Sequence, residues 1–403
     1  MSIWRSEGWK LNGPKGAGLL LVVWLGLSAA QGIQSLPAQP QSKPRPEQVR
    51  PPVEIRKEEN SQPPRSVASE EDVLVAIIDT GVDINHPDLA PYIWQNPGEV
   101  GFDAKGRDKR TNGIDDDGNG YIDDVHGFDF TTNRGPSKDL NGHGTHIAGI
   151  IAERLKAADI RNVKLMVLTY YRDGIDGQAA LGNSIECVRY AIQMGAKIIN
   201  YSGGGLYPNP RERQVFLEAE RQGILVVAAA GNEASNSEKS PFYPANYGFS
   251  NIISVTAVDG TSLGILPSSN FGKRSVHVAA IGKDIRSTMP GGGYGTMTGT
   301  SQATAIVTGQ AVRAYLAAKQ GESGPSPEMV MEMVMASSSP QRGLAGKTQE
   351  GTVLSDHDLD WIRPQAKMAK AQTKKSSIGE ALLRALSDEE ERGLAVKSGL
   401  APR

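Results

Sequence analysis

Cysteine is all but missing from this chain of 403 residues: Cys187 stands alone, so no disulfide can form within it. An exported protein of this kind must hold its fold by core packing or bound metal, which suits a bacterial protein better than a eukaryotic one. An excess of either charge is missing too. With 43 Lys and Arg against 45 Asp and Glu, the formal net charge of -2 gives no electrostatic reason to bind nucleic acid or an anionic membrane. No apolar run reaches the roughly 20 residues that span a bilayer. The longest, Gly16–Ala30, follows Arg5, Lys10 and Lys15 and ends in the small residues Ser28 and Ala30, the layout of a cleaved signal peptide rather than an anchor. No cysteine stands at its end to accept a lipid there, and no repeat of solenoid period is present.

What is present falls into four stretches. Residues 1–30 are the expected signal peptide, which places the protein outside the cell or in the periplasm of a bacterium. Residues 31–70 read as a Pro-rich linker or short pro-segment, because eight of the 24 prolines lie between Leu36 and Arg65 among few large apolar side chains. At Asp72 the pattern changes. Val73–Ile78 is a continuous apolar run of strand length, and further runs follow at Lys164–Tyr170, Ala196–Tyr201, Gly223–Ala230 and Ile252–Val258. Helical patterns intervene at His143–Ala157, Asn183–Met194, Arg211–Arg221 and Thr300–Ala318, with Asn183 and Glu186 spaced as a capping box. The alternation predicts an α/β fold over residues 71–338: a doubly wound, mainly parallel sheet with helices on both faces. Cys187 falls on an apolar helical stripe and reads as a small buried hydrophobe. The strand runs cease near Ser339, so residues 339–403 are expected to form a tail with one helix starting near Ser377–Glu380.

Sites in such sheets collect beyond the carboxyl ends of the strands, where Asp79 and Asn232 fall. Three segments surround a reactive side chain with residues suited to backbone geometry rather than packing: Asp79–Gly81, Asn141–His146 and Gly299–Ala303. A carboxylate ending a buried strand needs a partner, and an imidazole provides one. His143 sits between Gly142 and Gly144, which leave its ring approachable. Ser301 opens a helix, whose N-terminus favours negative charge. These groups supply a nucleophile, a base and an orienting acid, while Asn232 offers an amide donor for an oxyanion.

The segments Val75–Val82 with His86–Leu89, Asn141–Gly149, Ile198–Gly204, Ala229–Asn232 and Gly299–Ser301 resemble, in that order, the motifs of the subtilisin-like serine proteases, the subtilases, over about Asp72–Ser338. The resemblance implies a monomeric secreted serine endopeptidase acting on protein or peptide substrates through Asp79, His143 and Ser301, by way of an acyl-enzyme. By the same analogy Ser202, Gly203 and Gly204, with Ala229, Ala230 and Gly231, would present backbone to an extended substrate paired as an added strand. The chain departs from the family pattern at Gln302, Ala305 and Ile281, none of them a catalytic group, and residues 31–71 are too short for the usual chaperone prodomain. Phe242, before Tyr243–Pro244, either narrows the pocket for the residue preceding the cleaved bond or simply packs its loop.

Asp115, Asp117, Asn119, Tyr121 and Asp123 place oxygens at alternate positions with Gly120 sixth, as in a calcium-binding loop, although the twelfth residue is His126 rather than Glu. A structural Ca²⁺ is expected there, the alternative being an Asp/Asn/Gly-rich surface turn. Asp356, Asp358 and Asp360 form a thinner cluster and read as a solvated turn. Three other readings compete. A zinc pair at His143 and His146 lacks the glutamate of H-E-x-x-H and leaves Ser301 and Asn232 idle. An α/β-hydrolase esterase needs G-x-S-x-G around its nucleophile and the chain order Ser, acid, His, and neither holds for Ser301, Asp79 and His143. A catalytically inactive, calcium-stabilised extracellular binding module on the same scaffold would have no use for all four chemical groups.

Overall fold

The computed structural model describes residues 72–136, 138–319 and 324–354. The signal peptide, the Pro-rich segment, the Asp356–Asp360 cluster and the tail helix at Ser377–Glu380 lie outside the described residues. Strands β1 (Val73–Asp79), β2 (Gly127–Asp129), β3 (Val163–Thr169), β4 (Ile198–Tyr201), β5 (Leu225–Ala229), β6 (Ile252–Val258), β7 (Val278–Ile281), β10 (Ser339–Pro340) and β11 (Thr352–Leu354) form one sheet. Its order is β10-β11-β7-β6-β5-β4-β1-β3-β2, parallel throughout except for the antiparallel β10–β11 pair. Strands β8 (Ile285–Met289) and β9 (Gly293–Met297) make a separate antiparallel hairpin.

Every residue of β1 is buried, which explains why its sequence is a continuous apolar run rather than an alternation: both faces of the sheet are covered. The pleat still sorts the side chains. Val73, Val75 and Ile77 pack with α1 (His143–Ala157), α4 (Thr300–Ala318) and α5 (Pro327–Ala336). Leu74, Ala76 and Ile78 pack on the opposite face with α2 (Gly177–Gln193) and α3 (Pro210–Arg221), where Cys187 is fully buried as expected. The doubly wound α/β prediction therefore holds, and α1, α4 and β6 have the predicted bounds.

Two expectations need correction. Helix α2 begins six residues before Asn183, because the Asp176 side chain accepts from the Gln178 and Ala179 amides and caps the helix first. Asn183 sits mid-helix and donates its Nδ2 to the Tyr170 carbonyl instead. The sheet also continues past Ser339. Strand β11 pairs parallel with β7 and is buried, but three residues lie below the length at which an apolar run announces a strand.

Because β1, β4 and β5 are parallel neighbours, their carboxyl ends open on one edge of the sheet, about 4.8 Å apart from strand to strand. The segments after those three ends build the site.

Candidate active site

Asp79 is the last residue of β1 and only 3% exposed. One oxygen, Oδ1, accepts from the Thr80 amide at 2.8 Å and from His143 Nδ1 at 2.7 Å. His143 is the first residue of α1, entered through Gly142 at φ 93°, a left-handed conformation that glycine adopts without steric cost. One residue on, Gly144 allows the helix to come down onto β1. A methyl group there would collide with the Gly81 carbonyl oxygen and crowd Asp79 Cβ, forcing the imidazole and the carboxylate apart.

Burial of the His143 ring opposes protonation, but the charge and hydrogen bond of Asp79 more than offset it, with Asp139 adding to the pull, so the pKa lies above the ordinary imidazole value. Asp139, missed by the sequence reading, holds this corner together. Its Oδ1 accepts from Thr80 Oγ1 and from the Asn141 and Gly142 amides, and its Oδ2 accepts from both the amide and the hydroxyl of Thr145. It ties the strand end to the first turn of α1. An acid just ahead of a helix start is a capping signal that could have found it.

Ser301 is the second residue of α4, 7% exposed. Its hydroxyl donates to the Ser202 carbonyl at 3.1 Å, and among the described residues no hydrogen bond joins it to His143. Asn232 follows the end of β5, and its Oδ1 accepts from the amide of Thr300 at 3.0 Å and from its hydroxyl at 3.2 Å. With the carbonyl end engaged, the amino end is the one left to donate. The loop behind it is braced by Asn270, whose amide group donates to the Ala230 carbonyl and Glu233 Oε2 while accepting from the Glu233 and Ser235 amides. Nothing in the local sequence around Asn270 signals this role.

Ser202, Gly203 and Gly204 follow β4, while Ala229 closes β5 and Ala230 and Gly231 follow it. Tyr201 stands opposite Ala228, so the two segments leave the sheet side by side. The Ala230 amide is engaged by Val255 of β6. Phe242 is buried with its ring against both Gly204 and Gly231, in the gap between the segments.

His143 and His146 do not converge as a zinc pair would. His146 is fully buried and donates its Nε2 to the Ile285 carbonyl at 2.9 Å, and burial depresses its pKa to about 4.

The acidic loop is folded by its own side chains. Asp115 accepts from the Asn119 and Gly120 amides, Asn119 Oδ1 from the Tyr121 amide, and Asp123 from the Gly113 amide. Tyr121 lies ring-edge against Phe128, Phe130 and Tyr190, and His126 donates to the Trp94 carbonyl. Oxygens of Glu99, Asp117 and Asp124 gather instead within 4.8 Å of one another, so of the five expected ligands Asp117 alone joins this group. Glu99 is fully buried, and its Oε2 has no hydrogen-bond partner. Burial pushes its carboxyl up to about 7, against the hydrogen bond from the Asp116 amide and helped by the charges of Asp124, Asp117 and Asp116. An orphaned buried carboxylate oxygen facing two more acids fits an oxygen-seeking dication such as Ca²⁺.

A sequence profile described as "Subtilase family" matches residues 70–360. The chain is 34% identical over 252 residues to "Thermophilic serine proteinase" of Bacillus sp. (strain AK1), covering 62% of this chain and 53% of the relative. It is 30% identical over 286 residues to "Subtilisin-like protease 2" of Plasmodium falciparum (isolate 3D7), covering 66% of this chain and 19% of the relative. The chain thus spans about half or less of the length of these curated relatives. Among solved structures, a cold adapted subtilisin-like serine proteinase superposes with a TM-score of 0.52 at 24% identity, over 71% of this chain and 89% of that one, which shows a shared fold. No helix among the described residues is long and apolar enough to cross a membrane.

Proposed function

The chain belongs to the subtilase family, and from that premise we propose that it is a serine endopeptidase working through Asp79, His143 and Ser301. The observation that carries the proposal is the 2.7 Å bond between His143 Nδ1 and Asp79 Oδ1 at one strand end, with Ser301 seated on the carbonyl of Ser202 just beyond the neighbouring strand. With Nδ1–H held by Asp79, His143 Nε2 is free of its proton and serves as the base. The Ser301 hydroxyl turns from Ser202 toward the ring, gives its proton to Nε2 and attacks the substrate carbonyl. The Ser301 amide and Asn232 Nδ2 stabilise the oxyanion. Collapse of the tetrahedral intermediate passes the Nε2 proton to the leaving amine, and water attacks the acyl-enzyme by the same route in reverse. The resting hydroxyl position is no obstacle, since such bonds commonly tighten when substrate binds.

Labelling with a fluorophosphonate tests the reading against the inactive binding module. The protease reacts at one serine and hydrolyses casein; an unlabelled, folded protein sinks the proposal. Asn232→Ala is expected to lower kcat by about 10²–10³ with little change in KM, a magnitude taken from the corresponding donor of subtilisin, a member of the same family. Single-turnover rates of the purified variant check it, and a wild-type rate removes Asn232 from the cycle.

Substrate is proposed to lie extended between Ser202–Gly204 and Ala229–Gly231, and export is proposed to depend on residues 1–30. Calcium is proposed to be held by Glu99, Asp117 and Asp124, with Asp115, Asn119, Tyr121 and Asp123 shaping the loop around it. Bound there, it would neutralise the buried acids and lock the insertion between β1 and α1. Calcium at about 100 times its Kd should stabilise the fold by about 2.7 kcal/mol. At ~2–4 °C per kcal/mol, chelation should lower the Tm by roughly 5–10 °C. Calorimetry with and without chelator reads this, and a wild-type Tm indifferent to chelator, or a chelator shift that survives in Asp124→Asn, would contradict it.

A further inference from the structure

Two guanidinium groups meet at a cavity that the hydrolytic reading does not use. It opens to solvent at the ends of β2 and β3, has a volume of about 510 Å³, and is lined by Thr131, Thr132, Arg134, Gly135 and Arg172. That volume lies within the ~300–1,000 Å³ of small-molecule sites, and none of the five lining residues is acidic. Strands β2 and β3 are parallel neighbours with Asp129 opposite Thr169, and the Phe130 amide donates to the Thr169 carbonyl. The turn after β2 and the segment after β3 therefore leave the sheet together. The fold, not closeness in sequence, brings Arg134 to Arg172.

Among the described residues neither of these side chains makes a hydrogen bond or an ion pair, whereas Arg107, Arg189 and Arg274 each meet a carboxylate. The acids next to the cavity in sequence are engaged elsewhere. Asp129 Oδ1 accepts from the amide and hydroxyl of Thr131 and from the Thr132 amide, and Asp173 Oδ1 accepts from Asn141 Nδ2. Two like charges that face one space favour an anion between them. Thr132 supplies a further reason: its Oγ1 is buried without a hydrogen-bond partner, and a turn about χ1 would let it donate to a ligand oxygen.

We propose that this cavity binds a tetrahedral oxyanion, phosphate or sulfate, free or carried on a larger molecule, between Arg134 and Arg172 with the Thr132 hydroxyl as a third donor. A guanidinium fork matches two oxygens of such an anion and keeps its charge at every working pH. Strands β2 and β3 run parallel to β1, so the site opens on the same sheet edge as Asp79, one and two strand spacings of about 4.8 Å away. A peptide held at that edge can carry the anion to it. The proposal does not depend on the hydrolytic reading.

Titration calorimetry of the full chain with sodium sulfate, against sodium chloride at equal ionic strength, provides the test. Sulfate is the probe because phosphate would also draw on calcium. Wild type should bind one sulfate saturably, and chloride should give no such isotherm. Arg134→Gln and Arg172→Gln should each weaken sulfate at least about tenfold, the scale of a hydrogen bond to a charged group, and Thr132→Val should weaken it less. Both arginines are exposed, so the variants should keep the wild-type melting temperature and the wild-type rate on an unphosphorylated fluorogenic peptide. Two dye-labelled peptides that differ only as phosphoserine or serine identify the source of the anion, by fluorescence anisotropy on Ser301→Ala. Tighter binding of the phosphopeptide, lost when Arg134→Gln or Arg172→Gln is added, supports an anion carried on a peptide; sulfate binding with no such preference supports a free anion. Neither saturable sulfate nor phosphate-dependent peptide binding, or binding undiminished in both arginine variants, overturns the proposal. None of these outcomes bears on cleavage of the unphosphorylated peptide, so the protease reading stands or falls separately.

Discussion

Ser301→Ala is expected to lower kcat on a peptide substrate by about 10⁶-fold with KM changed at most a few fold, a scale set by the nucleophile of subtilisin in the same family. Among the described residues its one side-chain hydrogen bond goes to the Ser202 carbonyl, so its loss should leave the fold and the backbone segments proposed to bind substrate in place. What disappears is the covalent route. Water bound near His143 can still attack a carbonyl held by Asn232 and the residue-301 amide, which predicts a residual rate of about 10³–10⁴ over the uncatalysed reaction. Burst kinetics with an activated ester separate the outcomes. Wild type should release one equivalent of leaving group per enzyme before the steady rate, and the variant none. A burst retained in Ser301→Ala would place the nucleophile elsewhere.

Asp79→Asn should cost about 10⁴-fold in kcat, since in a triad of this kind the acid fixes which imidazole nitrogen carries the proton. The amide that replaces the carboxylate could present its amino group to Nδ1, and the ring would then carry its proton on Nε2, where the serine proton must go. The charge matters as well. Burial of the ring opposes protonation, and Asp79 is the larger of the two charges that raise the His143 pKa above its ordinary value. The base must be neutral, so wild-type kcat/KM should rise with pH through a midpoint above the usual imidazole range. In Asp79→Asn the small remaining rate should rise at lower pH, because the raising influence has gone and the effect of burial remains. For stability the sign runs the same way. A raised folded-state pKa stabilises below the unfolded value near 6.5, and that contribution is lost as pH climbs through the folded one. The variant should therefore lose stability chiefly in weak acid. Equal pH midpoints in the two proteins would remove Asp79 from its assigned role.

Strands buried on both faces were the most legible part of the fold. Val73–Ile78 and Ile252–Val258 are long apolar runs, and their length alone separates them from turns. Strand β11 has three residues and β7 has four, two of them alanine, so pairing with neighbours rather than local pattern makes them strands. The start of α2 was misplaced because two capping signals compete within eight residues and sequence alone does not rank Asp176 over Asn183. In the site, the placement of Asp79, His143, Ser301 and Asn232 at strand and helix ends was readable because glycines and small residues crowd around them. Asn270 was not, since its partners lie tens of residues away and only the fold brings them together; Asp139 carried a local capping signal, but its bond to Thr80 is 59 positions distant. The acidic loop was recognisable by its spacing, but Glu99 and Asp124 join Asp117 through a turn that begins before the repeat of acids.

The bond from the Thr300 amide to Asn232 Oδ1 has a mechanical consequence. It fastens the residue before the proposed nucleophile, Ser301, to the loop that carries the proposed oxyanion donor, Asn232, so the start of α4 and that loop are held together. A core mutation that tilts α4 would carry attacker and donor together and keep their spacing. The error would fall on the gap to His143, which belongs to the other helix, so proton transfer would fail while charge stabilisation survived.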